Sequence, residues 1–427
     1  MRLRPTGDLW QHSDFLRLWS AQTISQFGSQ ISALALPLAA ILILDASAFE
    51  VALLGAVEFL PFLLFALPAG VWVDRLPRKP ILVLADLGRA AVLVSVPLAY
   101  ALDALTIWQL YAVGFLVGIG TVFFDVAYQS YLPSLVDRSS LVEGNSKLEV
   151  SRSGAQLAGP GLAGALVELV TAPYAILADA VSFIASGLFL LRIGLTETVP
   201  ELTARPSMAR ELVEGFRYLL GHWFQRPLAI AVAISNFFST LSFSIILVYA
   251  VRELGMSAGL IGVVLALGNV GWLLGAVAAT RLSGRIGVGR TMVGSAILFG
   301  PSMLLVPLAP QSFPVPFLVA GLALLTFGGV VFNVTGLSFT QAIVPSRMLG
   351  RLNATRRFIV WGVIPLGSLT GGTLATVIGL RPTLFIGAIG GSLGFVPLVL
   401  SPVRSLGPME EALREHAPPA EPGLADA

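Results

Sequence analysis

The chain has no cysteine, which excludes a disulfide framework, a thiol nucleophile and a thiolate metal site. Its three histidines, His12, His222 and His416, all lie outside the long apolar runs, which argues against a His-ligated metal inside a bundle. No cofactor and no metal are expected. Only 12% of residues are charged, and no G-x-x-x-x-G-K-[ST] run is present, so an ATP-driven pump is excluded. The carbonyl-filter loop of a potassium-type channel is missing too. A multipass membrane enzyme would need clustered Asp or His residues, and none appears. Nothing in the composition suggests nucleic-acid binding.

What the chain does have is apolar surface. Hydrophobic residues make up 56% of its 427 positions, and mean hydropathy is +0.85. A soluble domain of this length cannot hide that much from water, so the bilayer is the expected solvent. A helix needs about 20 apolar residues to cross the hydrocarbon core. Such runs fall at 18–44, 49–73, 80–102, 106–128, 148–169, 173–193, 228–250, 257–280, 291–309, 315–339, 358–379 and 383–403, which predicts twelve spans. With the N-terminus inside, the outer loops hold only Arg252 and Arg381, and Arg89 lies within a span. The other 23 of the 26 basic residues then sit at or near one face. That asymmetry places both termini in the cytoplasm. Arginine outnumbers lysine 24 to 2, which suggests a GC-rich genome and a bacterial cytoplasmic membrane.

The two halves echo each other. Gln129 precedes Pro133 by four residues, as Gln341 precedes Pro345. From Asn145, glycines follow at plus 9, 14 and 19 (Gly154, Gly159, Gly164). From Asn353 they follow at the same offsets (Gly362, Gly367, Gly372). Gly70, Arg75 and Arg78 have a weaker echo in Gly275, Arg281 and Arg285. The expected fold is an all-α membrane protein with twelve transmembrane helices in two pseudo-symmetric six-helix bundles. The boundaries are 1–193 and 228–403 for the bundles, 194–227 for a cytoplasmic linker, and 404–427 for a disordered cytoplasmic tail. Two like halves around a central pathway suit a secondary transporter that rocks one half against the other.

The run Gly70-Val-Trp-Val-Asp74-Arg75-Leu-Pro77-Arg78-Lys79 resembles G-x-x-x-D-R-x-G-R-K, the loop between helices two and three of the major facilitator superfamily. Pro77 replaces the usual Gly and also suits a tight turn. Gly159-Pro160-Gly161-Leu-Ala163-Gly164 is similar to the G-P-x-x-G-G antiporter motif of drug exporters. The layout most resembles the enterobactin- and macrolide-exporter branch. The resemblance implies an inner gate made of Gly70, Asp74, Arg75, Arg78, Lys79, Asp125 and Asn353. In it Asp74 docks near Asn353 and Arg78 pairs with Asp125. The family's span-four arginine would stand at Gly114, where this chain has none, and Val117 replaces the motif's Gln.

Ionised residues at bilayer depth are costly, so each one needs a reason. Glu58, Asp86, Arg89, Asp125 and Asp179 all lie in the first half, and the second half has no acid well inside a span. Glu58 and Arg89 lie at similar depth, about 1.5 Å per residue along their helices. Two readings follow: Glu58 is a proton-coupling carboxylate released by Arg89, or the two form a permanent ion pair. Asp179 and Asp86 are the alternative proton sites.

Gln22, Gln26 and Gln30 recur every four residues on one face of span one, and Asn236 and Ser239 echo them in span seven. Together with Trp272 and Trp361 they are candidates for the walls of a substrate cavity, since spans one and seven line it in the resembling family. Interhelical hydrogen bonding is the alternative. Gly154, Gly159 and Gly164 are read as packing positions and Pro160 as a kink. Apolar residues at helical spacing around Phe216, Leu219 and Trp223 predict an amphipathic linker helix on the inner membrane surface. The expected function is export of a small amphipathic or lipophilic organic compound in exchange for protons, by a monomer in the lipid bilayer. A proton-coupled importer is the alternative within transporters.

Overall fold

In hydrocarbon no water is present to satisfy a backbone N–H or C=O, so each apolar run must close its own hydrogen bonds as a helix. The structure, a computed structural model that describes residues 8–73, 75–195, 197 and 208–416, follows that rule, and no strand occurs among the described residues. The first half comprises α1 (Ser13–Leu42), α2 (Ala48–Val73), α3 (Arg78–Ala101), α4 (Ile107–Leu135), α5 (Leu141–Val170) and α6 (Ala172–Leu191). A linker helix α7 (Met208–Gly221) follows. Then come α8 (Gln225–Arg252), α9 (Ala258–Gly268), α10 (Val270–Arg285), α11 (Val288–Leu308), α12 (Val315–Ile343), α13 (Ser346–Ile378), α14 (Leu380–Ser392), α15 (Val396–Val399) and α16 (Met409–His416).

Local chemistry sets several helix starts. Ser47-Ala-Phe-Glu50 is a capping box: the Ser47 N–H donates to Glu50 Oε2 at 2.7 Å, and the Glu50 N–H donates back to Ser47 Oγ at 3.3 Å. His12 caps α1 by accepting the Phe15 N–H on Nδ1 at 3.1 Å.

Eleven of the described helical stretches are long and apolar enough to span a membrane, with α9–α10 and α14–α15 each counted as one. The expected twelfth, α5, is 30 residues long. Glu143, Lys147, Glu149 and Arg152 crowd its first half, so its apolar part is short.

The chain forms two compact units. One contains 1–203 with 243–267 and 368–380, and the other contains 204–242 with 268–367 and 381–427. The first has a core around Phe15, Leu18, Leu82, Phe124, Tyr131 and Leu190. The second has a core around Leu219, Phe224, Leu228, Phe339, Leu352 and Leu398.

Two expectations about the soluble parts change. The linker helix forms, but it packs on α13 as well as facing outward. Phe216 meets Phe358 edge-on at 6.2 Å, Glu214 pairs with Arg351 at 2.7 Å, and Leu219 is buried while Leu220 is exposed. The tail is also not disordered from residue 404. The Val288 N–H donates to the Gly407 carbonyl at 2.9 Å, and α16 follows with Ala412 buried in the second core. Met409 and Leu413 of the same short helix pack against that core. Residues 417–427 lie outside the described residues.

Candidate functional site

The first unit holds the intramembrane charges. Glu58 projects from α2 onto α4, where Gly114 leaves room for it. A Cβ at position 114 would stand 2.8 Å from Glu58 Cγ. Any side chain at position 114 would therefore force Glu58 to shift. Glu58 Oε1 is buried and has no hydrogen-bond partner. Such an atom in a low-dielectric site is costly unless the group has work to do.

Arg89 is not its partner, which corrects the expected Glu58–Arg89 pair. The two match in depth but point to different neighbours. Arg89 pairs with Asp86, one turn earlier on α3, and donates to Thr121 Oγ1 at 3.3 Å. Its guanidinium lies 4.0 Å from the centroid of Phe183 and 4.7 Å from that of Phe124, a desolvated cation–π setting. Asp86 is 0% and Arg89 5% exposed. Asp179 on α6 is equally buried, accepts from Ser182 Oγ at 3.1 Å and lies within electrostatic reach of Arg89 and Asp86. Asp86, Arg89 and Asp179 thus form one structural cluster, and Glu58 stands apart from it.

Removing one member of a buried pair leaves an uncompensated charge, at a cost of about 3–5 kcal/mol. Asp86→Asn is therefore expected to lower the unfolding temperature of the purified protein sharply. The double change Asp86→Leu with Arg89→Met is expected to recover most of the loss. Equal melting of Asp86→Asn and the unmodified protein would show that the pair is not needed for the fold.

The charged loop is only partly as expected. Asp74 lies outside the described residues, and Asn353 is exposed on α13. Gly70 faces open space and Arg75 is exposed. The expected Arg78–Asp125 pair is replaced by Glu197. Its Oε2 accepts the main-chain N–H of Arg78 at 2.5 Å and of Lys79 at 3.1 Å, and its Oε1 lies 3.7 Å from the Arg78 guanidinium. A carboxylate at the positive start of α3 is favoured by the helix dipole. Lys79 Nζ donates to the Ile193 carbonyl at 2.5 Å. Asp125 stays half-buried within reach of Arg89 and Arg152.

At the face opposite the basic loops, the first unit also gathers pieces of the second half. Arg252, ending α8, donates to Asp45 Oδ1 at 2.7 Å and to the Ala46 carbonyl at 2.8 Å. Ser368 Oγ donates to the Ala52 carbonyl at 2.6 Å, and the Gly259 N–H donates to Glu168 Oε2 at 3.1 Å. Here the glycine ladder finds its use. A Cβ at Gly164 would meet the Ala258 carbonyl at 2.5 Å and Gly262 Cα at 2.8 Å, so α5 and α9 cross backbone to backbone. A Cβ at its counterpart Gly372 on α13 would stand 2.6 Å from Ala52 Cβ on α2.

The middle rungs agree in the same way. A Cβ at Gly159 would stand 2.5 Å from Gln30 Cβ of α1, and one at Gly367 would stand 2.6 Å from the Phe237 carbonyl oxygen of α8. The first rungs, Gly154 and Gly362, have nothing within 4 Å, which corrects the packing role expected for Gly154.

Gln30 is therefore held in a helix contact. Gln22 is buried, with its Oε1 unpartnered, while Gln26 is half-buried. Asn236 Nδ2 donates to the Val232 carbonyl at 2.9 Å and Ser239 Oγ to the Asn236 carbonyl at 3.1 Å, so both are satisfied by their own helix. Trp272 and Trp361 are half-buried. Sequence reasoning missed Glu197, which lies 119 residues from Arg78 in the chain. The spacing D-x-x-R in Asp86 to Arg89 was a readable signal for the buried pair.

A family match over nearly the whole chain, on this all-helical fold, makes the protein a membrane transporter of the major facilitator superfamily, not an enzyme. More narrowly, the chain belongs to the transmembrane secretion effector family, whose model matches residues 9–425. It is similar to the multidrug efflux pump Tap of Mycolicibacterium fortuitum, 25% identical over 354 residues that cover 79% of this chain and 84% of that one. It is also similar to macrolide efflux protein A of Streptococcus pyogenes, 27% identical over 213 residues, 48% of this chain and 51% of the other. Among solved structures, a bacterial homologue of the iron transporter ferroportin in an inward-facing state superposes with a TM-score of 0.73. That match has 19% identity and covers 90% of this chain and 98% of the other.

Proposed function

We propose that this protein exports a small amphipathic or lipophilic organic compound from a bacterial cytoplasm in exchange for protons, with Glu58 carrying the proton. The observation that carries the reading is the placement of Glu58. It is an intramembrane acid with a buried, unpartnered oxygen, seated over Gly114, while the nearby cation Arg89 is already engaged by Asp86. Intramembrane acids without a fixed counter-ion are the usual proton carriers of transporters. The relatives that pump drugs support the direction and the substrate class. The predominantly apolar spans suit such compounds better than sugar phosphates.

The closure at the face opposite the basic loops supports a cycle in which that side is sealed while the other exchanges substrate. The charged loop, with Arg78 and Lys79 tied to Glu197, is proposed as the opposing inner gate, together with Asp74 and Asn353. Gln26 and Trp361 remain candidates for the substrate cavity.

Direction is tested with everted and right-side-out vesicles, both containing the protein and given a panel of fluorescent lipophilic antibiotics under a pH gradient. Accumulation in everted vesicles alone is expected. Accumulation confined to right-side-out vesicles would make the protein an importer.

A further inference from the structure

A second polar site lies in the other unit, on the face that carries the basic loops. There a cavity of about 390 Å³ opens between the end of α7, the start of α8 and the end of α15. The lining has a polar part, His222, Trp223 and Arg226, and an apolar part, Ile230 and Leu400.

The polar part is held rigid from beneath. Phe224 is buried edge-on against Phe339 at 4.8 Å, and Gln225 donates from Nε2 to Thr340 Oγ1 at 3.1 Å. Arg226, next in the chain, is exposed and has no acidic partner among the described residues. His222 accepts the Phe224 N–H on Nδ1 at 3.2 Å, so its ring proton sits on Nε2 and is free to donate. Burial pushes the His222 pKa below its ordinary value, which leaves Arg226 as the standing charge. Trp223 stacks on His222 with the ring centroids 5.9 Å apart, an amphipathic ring at the depth where aromatic side chains anchor to a membrane surface.

The apolar part belongs to the lipid-facing exterior. Leu400 is 80% and Ile230 43% exposed, both at the ends of spanning helices. A cationic rim continuous with a lipid-facing slot fits a ligand that is anionic at one end and greasy at the other. A free phosphate would leave the slot unused, and a neutral lipid would leave Arg226 unpaired.

We propose that this cavity holds the headgroup of an anionic phospholipid, its phosphate on Arg226 and His222 Nε2 and its acyl chain along Ile230 and Leu400. Because the cavity joins α7 to the first and last helices of the second half, an occupant there would also brace the linker helix against them.

The test is native mass spectrometry of the full-length protein in detergent, titrated with phosphatidylglycerol or phosphatidylcholine. One tight phosphatidylglycerol adduct is expected, with phosphatidylcholine bound more weakly. One lost phosphate–arginine contact near a membrane surface predicts about five-fold weaker occupancy for Arg226→Gln. Ile230→Glu, which places a carboxylate in the acyl slot, should weaken the adduct as well. Arg290→Gln, exposed on α11 of the same unit and outside the cavity wall, should leave it intact. Equal losses for Arg226→Gln and Arg290→Gln would mean diffuse surface charge and overturn the site. Displacement of the adduct by equimolar inorganic phosphate would overturn the lipid assignment. An unchanged gel-filtration profile and melting temperature for each variant separates these outcomes from misfolding.

Discussion

Replacement of Glu58 by Gln is expected to reduce proton-driven accumulation of substrate to the level of vesicles lacking the protein. Glutamine keeps nearly the same volume over Gly114, so the α2–α4 packing survives. What disappears is the ability to bind and release a proton. Downhill exchange of substrate across the same vesicles, which needs no proton cycle, should persist in the variant. That split between driven and downhill transport distinguishes a coupling residue from one that merely holds the fold, since a folding defect would remove both. Enlarging the other partner has a different signature. Gly114→Leu pushes a side chain into Glu58 Cγ, which a Cβ alone would approach to 2.8 Å. Both kinds of transport should then fall together. If driven accumulation survives in Glu58→Gln, the proton site moves to Asp179 or Asp86, and the structural reading of their cluster around Arg89 must be revised.

The second large effect concerns the closure at the opposite face. Gly164→Leu cannot keep the α5–α9 crossing, because its Cβ would stand 2.5 Å from the Ala258 carbonyl. Overpacking of this kind costs about 1–3 kcal/mol. Applied to one of two conformations, it shifts their ratio by roughly 5- to 150-fold. The protein should remain folded, because the sealed conformation is penalised and the alternative is not. The absence of native cysteine allows a clean reporter. Ala46→Cys, at a position buried behind the Arg252 contact, should react slowly with a membrane-impermeant maleimide in the otherwise unchanged protein. Combined with Gly164→Leu it should react several-fold faster, and transport should fall. Unchanged labelling would show that the glycine crossing does not control the seal.

Much of the fold was legible because a bilayer imposes a length and a hydropathy on every span. The duplication was legible too, since the glycine ladder repeats its offsets. The structure adds that the ladder's last two rungs meet matching partners in both halves, α1 and α8 for the middle rung, α9 and α2 for the last. Depth in the membrane was readable by counting residues, but the direction a side chain faces was not. Glu58 and Arg89 match in height, yet α3 turns Arg89 toward α6 and its own Asp86. The i, i+3 spacing of Asp86 and Arg89 is the local signal for that pairing.

Glu197 was invisible for another reason. Its contact with the start of α3 closes a loop of more than a hundred residues, and no local pattern announces such a contact. The tail misled because its proline-rich end outweighed a short amphipathic turn around Ala412.

The most direct measurement of the central claim reads lumenal pH in everted vesicles with an acidic interior while a transported compound is added. Proton-coupled export predicts prompt alkalinisation of the lumen on addition, proportional to the compound taken up and absent from Glu58→Gln vesicles. Uptake of the compound with no change in lumenal pH would contradict the account, because substrate would then be crossing without a proton in exchange.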